Sequence, residues 1–275
     1  MRDYLQYKFE DTPGFINTFD ELPLWSATFG LLLLKHVELK RNLTVLDIGS
    51  GAGFPILELA QRLGTSCKCY GIDPWVNANS RAKQKISNYG VTNVAIIETS
   101  AASLPFEEGS IDLIVSNLGI NNFDDPPLVF KECNRVLKPG GKLALTTNLN
   151  GHWKEFYTLF EDALHQLGKT KLLPALTKDQ EHRGTIESIS KLFTNSGLTV
   201  NRVFEEIFEM RFLDGTAFLN HSFIKLGWLG SWKSIIPEAE QPAIFGQLEH
   251  NLNAYAEKMG GLTLTVPMAF IEGQK

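Results

Sequence analysis

Short apolar runs alternate with longer amphipathic stretches between residues 43 and 148. The apolar runs predict buried strands, at 43–48, 67–73, 93–98, 111–117 and 141–148. The amphipathic stretches predict helices, at 54–63, 75–89 and about 126–137. Alternating strands and helices are typical of βαβ units, in which helices cover both faces of a parallel sheet.

The pattern is less regular outside this region. Two helices (152–168 and 184–196) and two strands (198–212 and 262–271) are predicted after it, which gives seven strands in all. We therefore predict an α/β fold with a Rossmann-like, mostly parallel seven-stranded sheet flanked by helices. A single domain over 1–275 is expected. Its parts are an N-terminal helical cap (1–40), a cofactor-binding core (41–148) and a region of substrate-side insertions with the last two strands (149–275).

A glycine-rich turn follows the first strand, in the stretch VLDIGSGAGFP. Its glycines, Gly49, Gly51 and Gly53, form GxGxG, whereas the dinucleotide fingerprint GxGxxG requires a further glycine at the position of Phe54. The Lys-Ser/Thr pair of a P-loop is also missing. Asp47 precedes the glycines and would repel a phosphate but attract an ammonium. These features favour S-adenosylmethionine, which has an amino-acid head, a sulfonium and no phosphate.

Asp73 closes the second strand, about 20 residues beyond the last glycine, where a carboxylate accepts ribose hydroxyls in nucleotide-binding folds. Enzymes that use NAD place an acidic residue similarly, so Asp73 alone does not identify the cofactor. Asp73 is also a candidate helix cap before Pro74.

Four segments in order, VLDIGSGAGF, GID, SLPFEEGSIDLIVSN and VLKPGGKLALTT, resemble the motifs of class I S-adenosylmethionine-dependent methyltransferases. The resemblance covers residues 43–148 and is nearest to the small-molecule branch (methyltransferase type 11), which includes the ubiquinone and menaquinone C-methyltransferases. It implies that the last strand is antiparallel. It also implies which residues surround the methionine, ribose, adenine and methyl groups of the cofactor. They are Asp47, Gly49, Gly51, Gly53, Asp73, Pro74, Trp75, Ser100, Ala101 and Asn117. Ser100 stands where relatives often have an Asp that accepts from the adenine amino group, so Ala101 is expected to contribute through its backbone.

The methyl acceptor is expected beyond the carboxyl edge of the sheet. Candidate contacts are polar or aromatic residues of the cap, of the loop after the fourth strand and of the insertions. These residues are Trp25, Asn121, Asn122, Tyr157, Arg183 and Asn220. Candidate bases, needed if the acceptor is a hydroxyl or an acidic carbon, are His152, Glu155 and His221. Each also has an ordinary structural interpretation, as core, turn or solvated surface. The aromatic stretch 216–236 is predicted to be a lid or a homodimer contact.

The net charge and the composition limit the classes of partner that the protein is expected to bind. A net charge of −5 argues against a polyanion, because phosphate contacts need clustered Lys and Arg. The three cysteines form no metal-binding pattern, so no metal is expected, and they favour a reducing cytoplasm. Cys67 and Cys69 are predicted to be buried in a strand. The aliphatic run Leu31–Leu34 is too short to span a membrane, and the polar N-terminus is unlike a signal peptide.

Three alternatives remain open. GSGAGFP also occurs in a bacterial rRNA guanine methyltransferase, so an rRNA or tRNA acceptor is one alternative to a small molecule. The second is an oxidoreductase that binds NAD, and the third is a non-catalytic cofactor-binding protein. The segment Asp125-Pro126-Pro127 resembles a motif of amino-group methyltransferases, but we interpret it as a helix start, because Asp followed by Pro suits the cap and first helical positions.

Overall fold

The computed structural model describes residues 3–21 and 24–275, so residues 1, 2, 22 and 23 of the predicted cap lie outside the described part. Seven strands form one sheet in the order β3-β2-β1-β4-β5-β7-β6. Their bounds are β1 Thr44–Ile48, β2 Lys68–Asp73, β3 Val94–Glu98, β4 Ile111–Asn117, β5 Leu137–Asn148, β6 Thr199–Phe212 and β7 Leu262–Gln274. Strands β1 to β5 pair in parallel. This confirms the predicted fold class.

The last strand is antiparallel, as the resemblance implied. Gly140 near the start of β5 donates to the carbonyl of Lys275, whereas Leu149 beyond the end of β5 donates to Pro267. The residue numbers of the partners on β7 therefore decrease as those on β5 increase, which defines an antiparallel pair. Strand β5 begins at Leu137 instead of the predicted residue 141, because Leu137 already pairs with Ile111 across a register irregularity.

The described part of the chain contains twelve α-helices. They are α1 Pro13–Glu21, α2 Leu24–His36, α3 Ile56–Leu63, α4 Val76–Tyr89, α5 Pro126–Val136, α6 Lys154–Gln166, α7 Leu173–Gln180, α8 Ile186–Asn195, α9 Gly215–Asn220, α10 Ser222–Gly227, α11 Leu229–Ile235 and α12 Gln241–Met259. Helix α5 begins as predicted, since the Asp125 carboxylate accepts from the backbone of Leu128 at 3.0 Å. Helix α3 begins two residues later than predicted, because residues 51–55 form the turn.

The chain divides into two compact units. We call the unit formed by Glu10–Thr147, Thr185–Glu205 and Met268–Lys275 the core unit. The helical unit comprises the described residues up to Phe9, Asn148–Gly184 and Glu206–Pro267. The three-part division of a single domain expected from the sequence stays a prediction.

Aromatic side chains fill the interior of the helical unit. The ring of Phe156 stacks on Trp232 with centroids 4.2 Å apart, and the ring of Trp153 lies 4.5 Å from Trp228. Trp232, Trp228 and Phe218 come from the stretch 216–236, and all three are buried. The rings of this stretch thus belong to the core of the helical unit, whereas its role as a lid or dimer contact stays a prediction. Cys67 and Cys69 are buried, as expected, although only Cys69 lies within a strand.

Phe54, the residue that breaks the dinucleotide fingerprint, packs against helix α2. A Cβ added to Gly30 would lie 2.1 Å from Cε1 of the Phe54 ring. The absence of a side chain at position 30 therefore makes room for the ring, and the contact joins the cap helix to the glycine-rich turn.

Replacing Gly30 by Ala is expected to destabilise the protein by about 1–3 kcal/mol, because the Phe54 ring must leave a well-packed position. Urea unfolding monitored by circular dichroism measures this change. Gly14→Ala is the matched control, since its Cβ would come no closer than 4.0 Å to another atom of the described residues. We expect the control to be neutral or stabilising. Equal stabilities of the two variants would contradict the contact.

Candidate active site

The turn after β1 is held by backbone hydrogen bonds. Gly49 and Ser50 both donate to the carbonyl of Ile72, at 2.8 and 3.0 Å, and Gly53 donates to Ser50 at 2.8 Å. The φ angles of Gly49, Gly51 and Gly53 are 78°, 50° and 97°, in the left-handed region that favours glycine. The spacing of the three glycines is therefore a requirement of this turn.

Gly51 and Gly53 serve different purposes. A Cβ on Gly53 would lie 2.7 Å from Cδ1 of Leu57 and 3.2 Å from Cβ of Ala82, so glycine permits close helix packing there. A Cβ on Gly51 would meet no atom of the described residues within 4 Å. The backbone of Gly51 borders open space, which leaves room for a closely approaching ligand.

Asp73 connects this turn to the start of α4. Its two carboxylate oxygens accept from the backbone N–H groups of Gly51, at 2.9 Å, and Trp75, at 2.8 Å. Asp73 is not the cap of α4, because that helix begins at Val76 and Trp75 occupies the cap position. Each oxygen retains capacity for a second hydrogen bond. Binding of ribose hydroxyls by Asp73 stays a prediction that this geometry permits.

Asp47 is buried at the end of β1, and neither of its carboxylate oxygens has a hydrogen-bond partner of normal geometry among the described residues. Burial raises the pKa of this carboxyl to about 8; the negative charge of Asp73 adds to the rise, and the backbone amide of Ile56 opposes it. A buried acid without a partner is costly unless a cation or donor reaches it. The ammonium of a methionine head is such a cation, so the residues present fit S-adenosylmethionine.

Trp75, predicted to lie against adenine, is held from the side by the N-terminal segment. Its indole Nε1 donates to the Asp11 carboxylate at 2.9 Å, and the side-chain amide of Asn77 donates to the same carboxylate oxygen at 3.0 Å. The neighbouring Pro74 is exposed. The indole is therefore fixed in orientation before any ligand binds.

Ser100 lies exposed after β3, and its hydroxyl accepts from the backbone of Ala102 at 3.2 Å. Ala101 beside it is buried. The hydroxyl of Ser100 thus stabilises its own turn, and its contact with adenine stays a prediction.

Side chains after β4 are engaged with neighbouring elements. The amide of Asn117 donates to the carbonyl of Ser26 on α2, and its oxygen accepts from the Thr146 hydroxyl, both at 2.9 Å. The oxygen of Asn121 accepts from the hydroxyl of Thr147 at 3.0 Å, while Asn122 is exposed. The predicted role of Asn117 near the methyl donor therefore rests on its backbone. Trp25, a predicted acceptor contact on α2, is half-buried with its ring 4.9 Å from Phe29.

Two of the three candidate bases have local structural partners in the helical unit. The Glu155 carboxylate accepts from both the backbone and the hydroxyl of Thr265, at 2.9 and 2.5 Å. His221 is exposed, and its Nδ1 accepts from the backbone of Phe223 at the start of α10. Asn220, a candidate acceptor contact, is exposed and donates to the carbonyl of Thr216. These bonds leave little reason to expect a free base at Glu155 or His221.

His152 is buried beside two indole rings. Its ring stacks on Trp153 at 4.2 Å and faces Trp228 at 5.9 Å. Burial holds the pKa of His152 well below its usual range, and the positive charge of Arg183 adds to this effect. The imidazole is thus neutral near pH 7.

A polar cluster, formed by Tyr157, Asp179, Arg183 and Ser231, lies in the helical unit. The Tyr157 hydroxyl donates to one Asp179 oxygen at 2.8 Å, and the Ser231 hydroxyl donates to the other. Burial raises the pKa of Tyr157, and the charge of Asp179 adds to the rise. The sequence predicted Tyr157 and Arg183 here but missed Asp179 and Ser231, which nothing in their local sequence distinguishes from ordinary helix residues.

Within the core unit, Asp73 joins Gly51 and Trp75 by hydrogen bonds and lies near enough to Asp47 to interact with it electrostatically. Of the predicted acceptor and catalytic residues, the structure places His152, Tyr157 and Arg183 close enough to interact electrostatically. Among the described residues, no helix is long and apolar enough to cross a membrane.

Comparison with known proteins points to one class of enzyme. Residues 46–145 match the family described as "Methyltransferase domain". The chain is 29% identical to the demethylmenaquinone methyltransferase of Lactococcus lactis, over 68% of this chain and 76% of that protein. It is 33% identical to the 2-phytyl-1,4-naphthoquinone methyltransferase of Trichormus variabilis, over 42% of this chain and 50% of that protein. The YcgJ protein of Bacillus subtilis shares the fold, with a TM-score of 0.59 and 19% identity over 90% of this chain and 98% of that one.

Proposed function

We propose that this chain is a class I S-adenosylmethionine-dependent methyltransferase and that its small-molecule acceptor is a quinone-like ring in its reduced form. The relatives named above act on menaquinone precursors or naphthoquinones by their names. A methyl group on a sulfonium is an electrophile, so its acceptor must be electron-rich. A reduced ring meets this requirement, whereas an oxidised quinone ring is itself electron-poor. Nothing in the comparisons supports an rRNA or tRNA acceptor or a non-catalytic protein.

The observation that carries the proposal is the network of Asp47, Gly51 and Asp73. When bound, S-adenosylmethionine supplies a methyl group that an acceptor displaces in line. Asp47 offers a buried carboxylate to the ammonium, and Asp73 fixes the backbone of Gly51. These residues orient the cofactor, and orientation accounts for much of the rate in such a displacement. We propose that Pro74, Trp75, Ser100, Ala101 and Asn117 complete this site.

On the acceptor side, we propose His152 as the base and Tyr157 and Arg183 as contacts. The neutral imidazole of His152 is able to accept a proton, whereas Glu155 and His221 are engaged elsewhere. Trp25, Asn121, Asn122 and Asn220 stay further candidates for contacts. We also propose a cytoplasmic location, supported by the reduced cysteines. A homodimer through 216–236 has weaker support, since the large rings of that stretch are buried.

The proposal is tested by incubating the enzyme with S-adenosylmethionine and a short-chain 1,4-naphthoquinol that lacks a substituent at the reacting position. We expect a product heavier by one methyl group by mass spectrometry. The oxidised quinone and the Asp73→Ala enzyme should give none. Binding of S-adenosylhomocysteine without methylation of any reduced quinone would contradict the proposed acceptor while leaving the cofactor site intact.

A further inference from the structure

We propose that Arg183 receives an ionised oxygen of the acceptor, a phenol-type oxygen on a planar ring, at a site completed by Tyr157 and Asp179. This inference rests on the proposed function for the identity of its ligand. Its geometry belongs entirely to the helical unit.

Arg183 lies on the turn that follows α7. The carbonyl of the next residue, Gly184, accepts from the backbone of Asn150 at 3.0 Å, so this turn is fastened to the segment that leads to His152. Near Arg183, the side chain of Asp179 is partly exposed and that of Ser231 is exposed, whereas those of Tyr157 and His152 are buried. Arg183 therefore lies at the surface of the helical unit, next to buried polar and aromatic residues.

The guanidinium of Arg183 has unused donors. It is half-buried, yet it forms no hydrogen bond or ion pair with any residue that the structure describes. The nearby carboxylate of Asp179 accepts from the hydroxyl groups of Tyr157 and Ser231, and it forms no hydrogen bond or ion pair with Arg183. The five N–H donors of the guanidinium are partly withdrawn from water and have no acceptor among the described side chains, so they are available to a ligand. An oxyanion supplies the missing acceptor and suits the fork of an arginine.

The surrounding charge selects the kind of anion. Asp179 and Arg183 together are nearly neutral, and the exposed Lys178, Glu181 and His182 near them include both signs of charge. A phosphate or another dianion would gain one cation but face the Asp179 carboxylate. A phenol-type oxygen carries one charge that the ring delocalises, so it is repelled less.

The floor of the site suits a flat ligand. The ring of His152 stacks on Trp153 and lies beside Trp228. The Tyr157 hydroxyl, whose hydrogen points to Asp179, also accepts from the Trp232 indole at 3.5 Å. Tyr157 is thus a positioning residue that fixes one carboxylate oxygen of Asp179. The neutral imidazole of His152 would accept the proton of a ring hydroxyl beside Arg183, and the electron pair left on that oxygen would increase the nucleophilicity of the ring.

The experiment uses 4-nitrophenol, whose ionised form is coloured, and 4-nitroanisole, which has the same ring but no acidic oxygen. Both are titrated into the full-length protein. We expect 4-nitrophenol to bind about tenfold more tightly than 4-nitroanisole, as one charge-assisted hydrogen bond implies. The bound phenol should also ionise at a lower pH than the free one. Arg183→Met should abolish both differences, and Arg183→Lys should keep part of them.

Lys178→Met, which removes an exposed cation from the same helix end, is the matched control and should behave as the wild type. Equal binding of the two probes to the wild-type protein, or no effect of Arg183→Lys and Arg183→Met, would overturn the site. The comparison of 4-nitrophenol with 4-nitroanisole in the wild-type protein tests the site even if Arg183→Met fails to fold. S-adenosylhomocysteine is titrated into each protein in parallel. Its failure to bind would contradict the cofactor site instead, so the two proposals fail separately.

Discussion

Asp73→Ala is expected to weaken the binding of S-adenosylhomocysteine by roughly 100-fold, since two hydrogen bonds to a charged group are worth about 1.5–3 kcal/mol each and part of this organises the site. The carboxylate holds the backbone of Gly51 at one oxygen and that of Trp75 at the other. Without it, the turn loses its tie to α4 and the predicted ribose contact disappears as well. Isothermal titration calorimetry measures the change.

Two variants make this result specific. Asp73→Asn keeps an acceptor oxygen without the charge and should lie between the wild type and Asp73→Ala. Glu98→Ala removes an exposed carboxylate from the end of β3, the strand that pairs with β2, and should leave affinity unchanged. Wild-type affinity in Asp73→Ala would show that this residue does not organise the site.

Asp47→Asn is expected to change how the stability of the cofactor-free protein depends on pH. In the folded chain the pKa of Asp47 lies near 8, above its ordinary value of 3.8. The stability that Asp47 contributes is therefore complete below pH 3.8 and is lost as the pH rises to about 8. The loss is up to about 1.4 kcal/mol per pH unit across this window. Asparagine does not titrate, so the variant should gain stability relative to the wild type as pH increases.

Urea unfolding at several pH values between 5 and 8.5 tests this expectation. The difference in unfolding free energy between variant and wild type should increase over the range and then level off. The same carboxyl should release its proton when an ammonium binds beside it. Calorimetric enthalpies of S-adenosylmethionine binding to the wild type at pH 7 should then depend on the buffer, whereas those of Asp47→Asn should not. Identical pH profiles of the two proteins would contradict the buried acid.

The strands of the core unit were predictable because their signals are local. The run LTVLDI is apolar and lies next to a turn whose three glycines adopt positive φ, so residues adjacent in sequence are sufficient to define both. The same holds for α5, where Asp125 and Pro126 stand side by side. Asp47 and Asp73 were found because each ends a strand, and parallel strands end at one edge of the sheet.

The helical unit was not predictable in the same way. Helix α12 follows an aromatic stretch, and its buried Ile244, Leu248 and Leu252 do not show in the sequence which partner covers them. Asp179 accepts hydrogen bonds from Tyr157, 22 positions away in the sequence, and from Ser231, 52 positions away. Phe54 was recognised as a departure from a fingerprint, but its reason, the bare backbone of Gly30, lies on a different helix. Such contacts depend on tertiary packing.

We propose that the turn at Gly49–Gly53, with Asp47 and Asp73, binds S-adenosylmethionine. The most direct test is a thermal-shift titration with S-adenosylmethionine, S-adenosylhomocysteine and NADH side by side. At roughly 100 times its dissociation constant a ligand adds about 2.7 kcal/mol of stability. The melting temperature should rise by several degrees with the first two ligands and should be unchanged with NADH. A rise with NADH alone, or with none of the three, would contradict this proposal.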